Sequence, residues 1–243
     1  MRVLDLEYAD PRMNIAIEQA ISSAVGSYKS PSTLRFWRNS NSVIIGRNQN
    51  VEMEINREAC EKYNTKVIRR FTGGGAVYQD LGNLNWAVAI TKKELKSEYF
   101  DYGFYSKAII DGIKPLGLCA QFVSPNSIAI NGKKISGMAA FLDGNTYFCH
   151  GTLLINTNIK ILEEVLNAPK MKPLSGFVSS IKTSTTTIQK ELKRNVRIDN
   201  VKKLIIQGFR NIHGIQFTRG QLSSCEERLA RKFYEAKYKL EIT

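Results

Sequence analysis

Cysteine, histidine and long apolar runs are what this chain of 243 residues has least of. Its four cysteines (Cys60, Cys119, Cys149 and Cys225) form no Cys-x-x-Cys pair and no metal-ligand spacing, and two histidines leave no basis for a zinc site. No apolar run approaches the ~20 residues needed to span a bilayer. The opening Met1-Arg-Val-Leu-Asp-Leu-Glu-Tyr has no sustained apolar core of the kind a secretory leader needs. These absences point to a reducing cytoplasm and away from membranes. Nor is there an internal repeat, a coiled-coil heptad or a low-complexity linker, so residues 1–243 read as one domain. Acidic residues are also scarce, 22 against 35 basic ones, for a net charge of +13. The deficit is uneven: residues 1–169 carry a balance of +3 and residues 170–243 one of +10. A basic C-terminal third attracts acidic partners. Its charges are spread through helix-like sequence, and no aromatic–arginine module points to nucleic acid.

What is present is enough for a core, with 43% hydrophobic residues. Residues 3–8 alternate like a strand. Asp10-Pro11 opens a helix to about Val25, with Ile15, Ala16, Gln19, Ala20 and Val25 on one face. Residues 33–37 and 42–45 read as a strand pair turned by Asn39-Ser40-Asn41. Residues 54–63 look helical. Strands are expected at 66–71, 76–78, 84–91 and 146–155. Helices are expected at 102–116, 159–166, 201–213 and 225–239, and a basic, Ser/Thr-rich loop at 169–184. Strands dominate the middle and helices flank them, which predicts an α+β fold.

Two segments carry chemistry. In Arg-Arg-Phe-Thr-Gly-Gly-Gly-Ala-Val-Tyr-Gln-Asp-Leu-Gly-Asn, residues 69–83, three glycines follow two arginines. Such a triplet costs backbone entropy and belongs where unusual dihedrals or close approach are required. Bare N–H groups beside Arg70 suit a phosphate or carboxylate. No Gly-Lys-Ser/Thr follows, so this is not a Walker A loop, and Tyr78 stands where a dinucleotide fingerprint needs glycine. In the second segment, Asn131-Gly132 predicts a two-residue hairpin. Its regular register places Ile130 opposite Lys133, Ala129 opposite Lys134, Ile128 opposite Ile135 and Ser127 opposite Ser136. One face then holds Ile128, Ile130 and Ile135. The other holds Lys134 among Ser127, Ala129 and Ser136, with room for a ligand.

The chain resembles the lipoate–protein ligase A family in residues 69–83, in Lys-Lys-Ile-Ser-Gly at 133–137 and in His-Gly-Thr-Leu-Leu at 150–154. Asp-Pro-Arg-Met-Asn-Ile-Ala at 10–16, Phe-Trp-Arg-Asn at 36–39 and Val-Ile-Ile-Gly-Arg-Asn-Gln-Asn at 43–50 agree with it, in family order. The resemblance implies the catalytic-domain fold shared with biotin ligases, a mixed and mostly antiparallel sheet flanked by helices. It implies an enzyme that uses ATP and Mg²⁺ to turn lipoate into lipoyl-AMP and then modifies a lysine of a lipoyl carrier domain, in an acyltransferase E2 subunit or a glycine cleavage H protein.

By position, Lys134 matches the family's essential lysine. Arg70, Gly73, Gly74, Gly75, Ala76, Val77 and Tyr78 match its nucleotide and phosphate loop. Trp37, Arg70, Gly74, Gly137 and His150, with Lys134, match the surroundings of lipoate, while Asp80 and Asn83 order the loop. The family's further C-terminal domain would follow Thr243, so the resemblance implies a separately encoded accessory protein. Two positions depart from the pattern. Ser127 stands where the family usually has aspartate, which removes a metal or lysine partner, and Gln79 stands where it often has histidine.

Two rivals remain at this point. An octanoyl- or lipoyl-transferase of the same superfamily needs a nucleophilic cysteine, but the corresponding stretch here is Ser124-Pro125-Asn126-Ser127, with Cys119 upstream. Cys149 and His150 are neighbours on a strand and so point to opposite faces, with Cys149 expected in the core. A non-catalytic module that binds lipoylated or acidic proteins is the other rival.

Overall fold

A computed structural model describes residues 1–94, 101–167, 180 and 182–240. The chain begins with β1 (Arg2–Asp5), α1 (Pro11–Gly26), β2 (Thr33–Trp37) and β3 (Ser42–Ile45). Next come α2 (Val51–Glu54), α3 (Arg57–Lys62), β4 (Lys66–Arg69), β5 (Val77–Gln79) and β6 (Asn83–Thr91). The middle continues with α4 (Tyr102–Ile113), β7 (Ala120–Val123), β8 (Ser127–Ile130), β9 (Lys133–Asp143) and β10 (Thr146–Leu154). It closes with α5 (Ile159–Val165), α6 (Ile188–Leu192), α7 (Ile198–His213), β11 (Thr218–Arg219) and α8 (Ser224–Phe233). Of the basic loop expected at 169–184, only residues 180 and 182–184 are described. Among the described residues no helix is long and apolar enough to cross a membrane.

The strands form two sheets, one ordered β11-β1-β2-β6-β10-β9-β8-β7 and a smaller one ordered β4-β3-β5. Among the named strands, parallel pairing joins β1 to β11 and β2, and β3 to β4. The mixed, mostly antiparallel sheet flanked by helices is therefore the architecture the family resemblance implies.

Three local expectations are corrected. β2 and β3 have the predicted bounds but do not pair: β2 lies between β1 and β6, and β3 belongs to the small sheet. Asn39 is fully buried and bonds to Asn14 and Gln79, so 39–41 is a crossover between sheets rather than a hairpin tip. The helix expected at 54–63 breaks in two, because Asn56 leaves helical geometry to cap α3 by accepting from the Ala59 N–H. The hairpin turns at Asn131 and Gly132, both with positive φ (50° and 72°). Its register then shifts at a bulge, so Ser136 pairs with Ile128 and Gly137 with Ser127.

Helices cover both faces of the large sheet. On one face α4 and α7 pack over Val88, Ile128, Ile135, Cys149 and Leu153. There the two helices come very close: a Cβ on Gly208 would stand 2.0 Å from the Ala108 carbonyl oxygen. On the other face lie α1 and α8, over Leu4, Ala87, Ala89 and Phe148. The small sheet turns Val43, Ile45 and Tyr78 toward a separate cluster with α3 and α5. Its other side carries Ile44 and Ile68 against Ile15 and Ala16 of α1. A gap remains between the two sheets beside Ile15 and Glu18 of α1.

Candidate active site

That gap is a cavity of about 1090 Å³. α1 contributes Ile15 and Glu18; the large sheet gives Trp37, Asn85, Ala139, His150 and Thr152; the small sheet gives Ile44, Val77 and Gln79. Among the sequence-predicted site residues, Trp37, Arg70, Gly75, Ala76, Val77, Tyr78, Lys134, Gly137 and His150 line it together. Gly73, Gly74, Asp80 and Asn83 are not part of this lining.

The glycine loop is held from beneath by Arg70. Its Nε donates to Thr72 Oγ1 (3.0 Å), its Nη1 to the Ile44 carbonyl (3.0 Å) and its Nη2 to the carbonyls of Gly73 and Gly75 (2.5 and 2.9 Å). Burial lowers the guanidinium pKa to about 10, which leaves it charged at neutral pH. Arg70 thus directs its donors at the loop's own carbonyls. Gly74 has φ of 88° and packs where a Cβ would meet Arg70 and Ala139, which explains the middle glycine. Ser180, which the sequence reading missed, crosses this loop. Its hydroxyl oxygen accepts the Ala76 N–H (2.8 Å) and Gln49 Nε2 (3.1 Å), and its backbone N–H donates to the Glu54 carboxylate (3.0 Å). An acceptor oxygen on the Ala76 amide marks the loop edge as a place that takes acceptors.

Lys134 lines the same cavity. Its backbone pairs with residues 184–186, donating to the Ser184 carbonyl and accepting from the Thr186 N–H. The residue as a whole is half-buried, but burial of the amine end lowers its pKa below the ordinary lysine value. The side chain lies over Gly137, where a Cβ would stand 3.0 Å from Nζ. The bulge makes this possible, since Lys134 and Gly137 are three residues apart and a regular strand would put them on opposite faces. Ser127 and Ser136 line the cavity with Lys134 as predicted, although the bulge now pairs Ser136 with Ile128; Ala129, expected there too, pairs with Lys134 but is not part of the lining.

His150 sits at the cavity wall in a hydrogen-bonded line. Its Nδ1 lies 2.7 Å from Glu18 Oε1, and its Nε2 lies 2.8 Å from Thr72 Oγ1, which accepts from Arg70. With Nδ1–H donating a hydrogen bond to the carboxylate, Nε2 is left to accept from the threonine hydroxyl. Glu18 is 1% exposed, and its Oε2 has no partner among the described residues. A lone acid inside the apolar run Ile15-Ala16-Ile17-Glu18-Gln19-Ala20-Ile21 was the signal that could have found it. Cys149 points to the other face, is fully buried in the core, and burial pushes its thiol pKa well up. No cysteine among the described residues lines the cavity. Asp80 accepts from the N–H groups of Gly82 and Asn158 (2.9 and 2.8 Å), tying the turn after β5 to the start of α5. Asn83 donates to Asn85 Oδ1 (2.9 Å).

Comparison with known proteins follows the same lines. Residues 10–210 match the family model for the lipoyl protein ligase A/B catalytic domain. Lipoate–protein ligase 1 of Staphylococcus aureus is 34% identical over 201 residues, which are 82% of this chain and 59% of that protein. The chain thus spans less than two thirds of that relative. Lipoate–protein ligase A subunit 1 of Thermoplasma acidophilum is 30% identical over 251 residues, covering 99% of this chain and 94% of that one. A solved T. acidophilum structure with bound lipoic acid has a TM-score of 0.83 at 29% identity, covering 98% of this chain and 96% of that one. Another, described as a bipartite lipoate protein ligase with its E2 lipoyl domain, has a TM-score of 0.83 at 30% identity, covering 98% and 93%. A lipoate–protein ligase A bound with ATP superimposes with a TM-score of 0.85 at 29% identity, covering 99% and 96%.

Proposed function

The chain belongs to the lipoyl protein ligase A/B catalytic-domain family, and on that basis we propose that it is an adenylate-forming lipoate–protein ligase. It would activate lipoate with ATP as lipoyl-AMP and pass the lipoyl group to a lysine of a carrier domain. The observation that carries this reading is that Lys134 lines one cavity with a glycine loop whose carbonyls are tied back by Arg70. The relatives solved with lipoic acid and with ATP support the two substrates.

The chemistry follows from the charges. A carboxylate that attacks an α-phosphate brings two anions together, and positive charge must already stand where they meet. Lys134 and the N–H edge of the loop supply it. In this reading Arg70 acts by shaping the loop, while Trp37 and His150 bound the acyl chain. The oxygen of the attacking carboxylate bonds to phosphorus, and pyrophosphate leaves. Acyl-adenylates hydrolyse readily, so the depth of the cavity between two sheets serves to exclude water. The carrier lysine then attacks the acyl carbon and AMP departs. No side chain here stands out as the base for that lysine, and positioning supplies the rate.

Magnesium enters this reading only with ATP. Among the described residues no group of three His, Cys, Asp or Glu side chains could hold an ion, and the family's aspartate position is Ser127. The donor set does not fit a resident metal, and no step is assigned to one. We also place the chain in the cytoplasm as one catalytic unit, with a separately encoded accessory protein, E2 subunits or an H protein as carriers, and the basic residues of 170–243 as the partner-facing charge. The bipartite T. acidophilum ligase supports the accessory protein and the carrier class.

The test is intact carrier mass after incubation of the purified chain with ATP, Mg²⁺, lipoate and a carrier domain, with and without a candidate accessory protein. A lipoyl gain only with the accessory protein is the expected result. A gain from lipoyl-AMP alone limits the chain to transfer, and no gain from either overturns the reading.

A further inference from the structure

Trp37 and Asn85 bring side-chain N–H groups to one part of the cavity. Trp37 Nε1 and Asn85 Nδ2 are buried there without a partner among the described residues, although a buried N–H left unpaired is destabilising. The two residues are paired across β2 and β6. Gln79 reaches the same corner from the small sheet, because Asn39, two residues beyond Trp37, donates its Nδ2 to Gln79 Oε1 (2.6 Å).

The direction of the Gln79 amide is fixed from a distance. Asn14 holds both backbone groups of Tyr8: its Oδ1 accepts the Tyr8 N–H (2.9 Å) and its Nδ2 donates to the Tyr8 carbonyl (2.8 Å). Arg35, which can only donate, gives an Nη2 proton to the same Oδ1 (2.9 Å). Asn14 Nδ2 therefore donates to Asn39 Oδ1 (2.9 Å), and Asn39 Nδ2 is left for Gln79 Oε1. What remains of Gln79 for the cavity it lines is Nε2, a donor with no acceptor lone pair. Asn14 and Asn39 are fully buried, and Gln79 is 5% exposed. The arrangement cannot reverse without breaking bonds to the backbone.

We propose that Gln79 is a substrate-contacting residue whose amide nitrogen bonds an acceptor atom of the acyl-nucleotide, with Asn39, Asn14 and Arg35 as the positioning residues that hold it donor-outward. The inference rests on the ligase reading above. Held this way, Gln79 is selective, binding groups that accept and refusing groups that only donate.

The experiment measures lipoyl-AMP binding to the full chain by calorimetry, together with thermal melting. Gln79→Glu keeps the shape and the oxygen that accepts from Asn39 but turns the outward group into an oxygen. Its affinity is expected to fall at least ~tenfold, one hydrogen bond lost and a repulsion gained. The loss should shrink as pH falls toward ~4.3, where the neutral carboxyl regains a donor. Gln79→His, whose neutral ring accepts at one nitrogen and donates at the other, is expected to stay within ~threefold of wild type. Asn39→Asp removes the donor that fixes Gln79, so the Gln79 amide must turn round; residue 39 does not line the cavity, yet the same loss is expected. If Asn39→Asp fails to fold, the two Gln79 variants decide. Gln79→Glu that melts like wild type and binds lipoyl-AMP within twofold of it overturns the inference, leaving an amide that holds only water. Wild-type chain that binds neither lipoate nor lipoyl-AMP overturns the ligase reading itself, and this inference with it.

Discussion

On one face of the large sheet β10 presents Cys149 and Leu153; on the other it presents His150 and Thr152. The first pair meets α4 and α7 in a dense apolar layer, where helices touch through Gly112 and Gly208. The second pair meets a cavity in which Glu18 Oε2, Trp37 Nε1 and Asn85 Nδ2 are buried without partners among the described residues. The core face includes polar atoms too, on Trp86, Tyr105 and Tyr147, but most of its side chains are apolar. The sheet thus separates two demands. One face supplies stability through burial, and the other forgoes stability by keeping desolvated polar groups ready for a ligand.

Mutations on the two faces should therefore fail in different assays. Lys134→Ala is expected to lower adenylate formation at least ~10³-fold, read as pyrophosphate release. Lys134→Met, which removes a desolvated cation, should be as inactive and melt ~2 °C higher. A large fall in melting temperature would erase the contrast between the faces. The same lysine sets a pH dependence. Burial lowers its pKa, and only the protonated amine supplies charge, so the adenylation rate should decline on the alkaline side before an ordinary lysine, at ~10.4, would titrate. Lys134→Arg should move that decline to higher pH.

Arg70→Ala leaves the carbonyls of Ile44, Gly73 and Gly75 without their donor. The KM for ATP is expected to rise ~10–100-fold in steady-state kinetics. On the core face, Gly208→Ala drives a methyl into the Ala108 carbonyl. It should cost about 2–3 kcal/mol, or ~5–10 °C in melting temperature, while kcat at 25 °C stays within ~twofold. The smallest effect is expected for Cys149→Ala, about 1 kcal/mol of stability and unchanged transfer to the carrier. A transfer rate that falls ~100-fold in that variant would favour the thioester-forming transferase instead.

Much of this was legible in the sequence because it is local. Asp10-Pro11 starts α1 where a cap and a proline must, and Asn131-Gly132 turns the hairpin. The alternation of β10 separates Cys149 from His150. The motif residues Lys134, Gly75 to Tyr78 and His150 do converge on one cavity. What was not legible depends on partners far along the chain. The bounds of β2 and β3 are right, yet nothing in either strand says that they belong to different sheets. Arg70 reads as a free phosphate ligand until the carbonyls it holds are seen. Glu18 becomes part of the site only through His150, 132 residues away. Ser180 becomes part of it only by crossing the glycine loop.

The bulge after Lys134 can be restated in the language of insertions and deletions. Along β9, facing is decided by whether a separation is odd or even, and the unpaired residue corrects the count by one. Residue identity alone therefore does not place the amine; length does. Removing Ile135 would straighten the ladder and leave Lys134 in phase with Gly137, at the loss of one core isoleucine. Adding a residue without a second bulge would preserve every motif of the segment and turn the amine through the sheet into the apolar layer. In this short stretch a frame error, rather than a substitution, is the change that would separate fold from function.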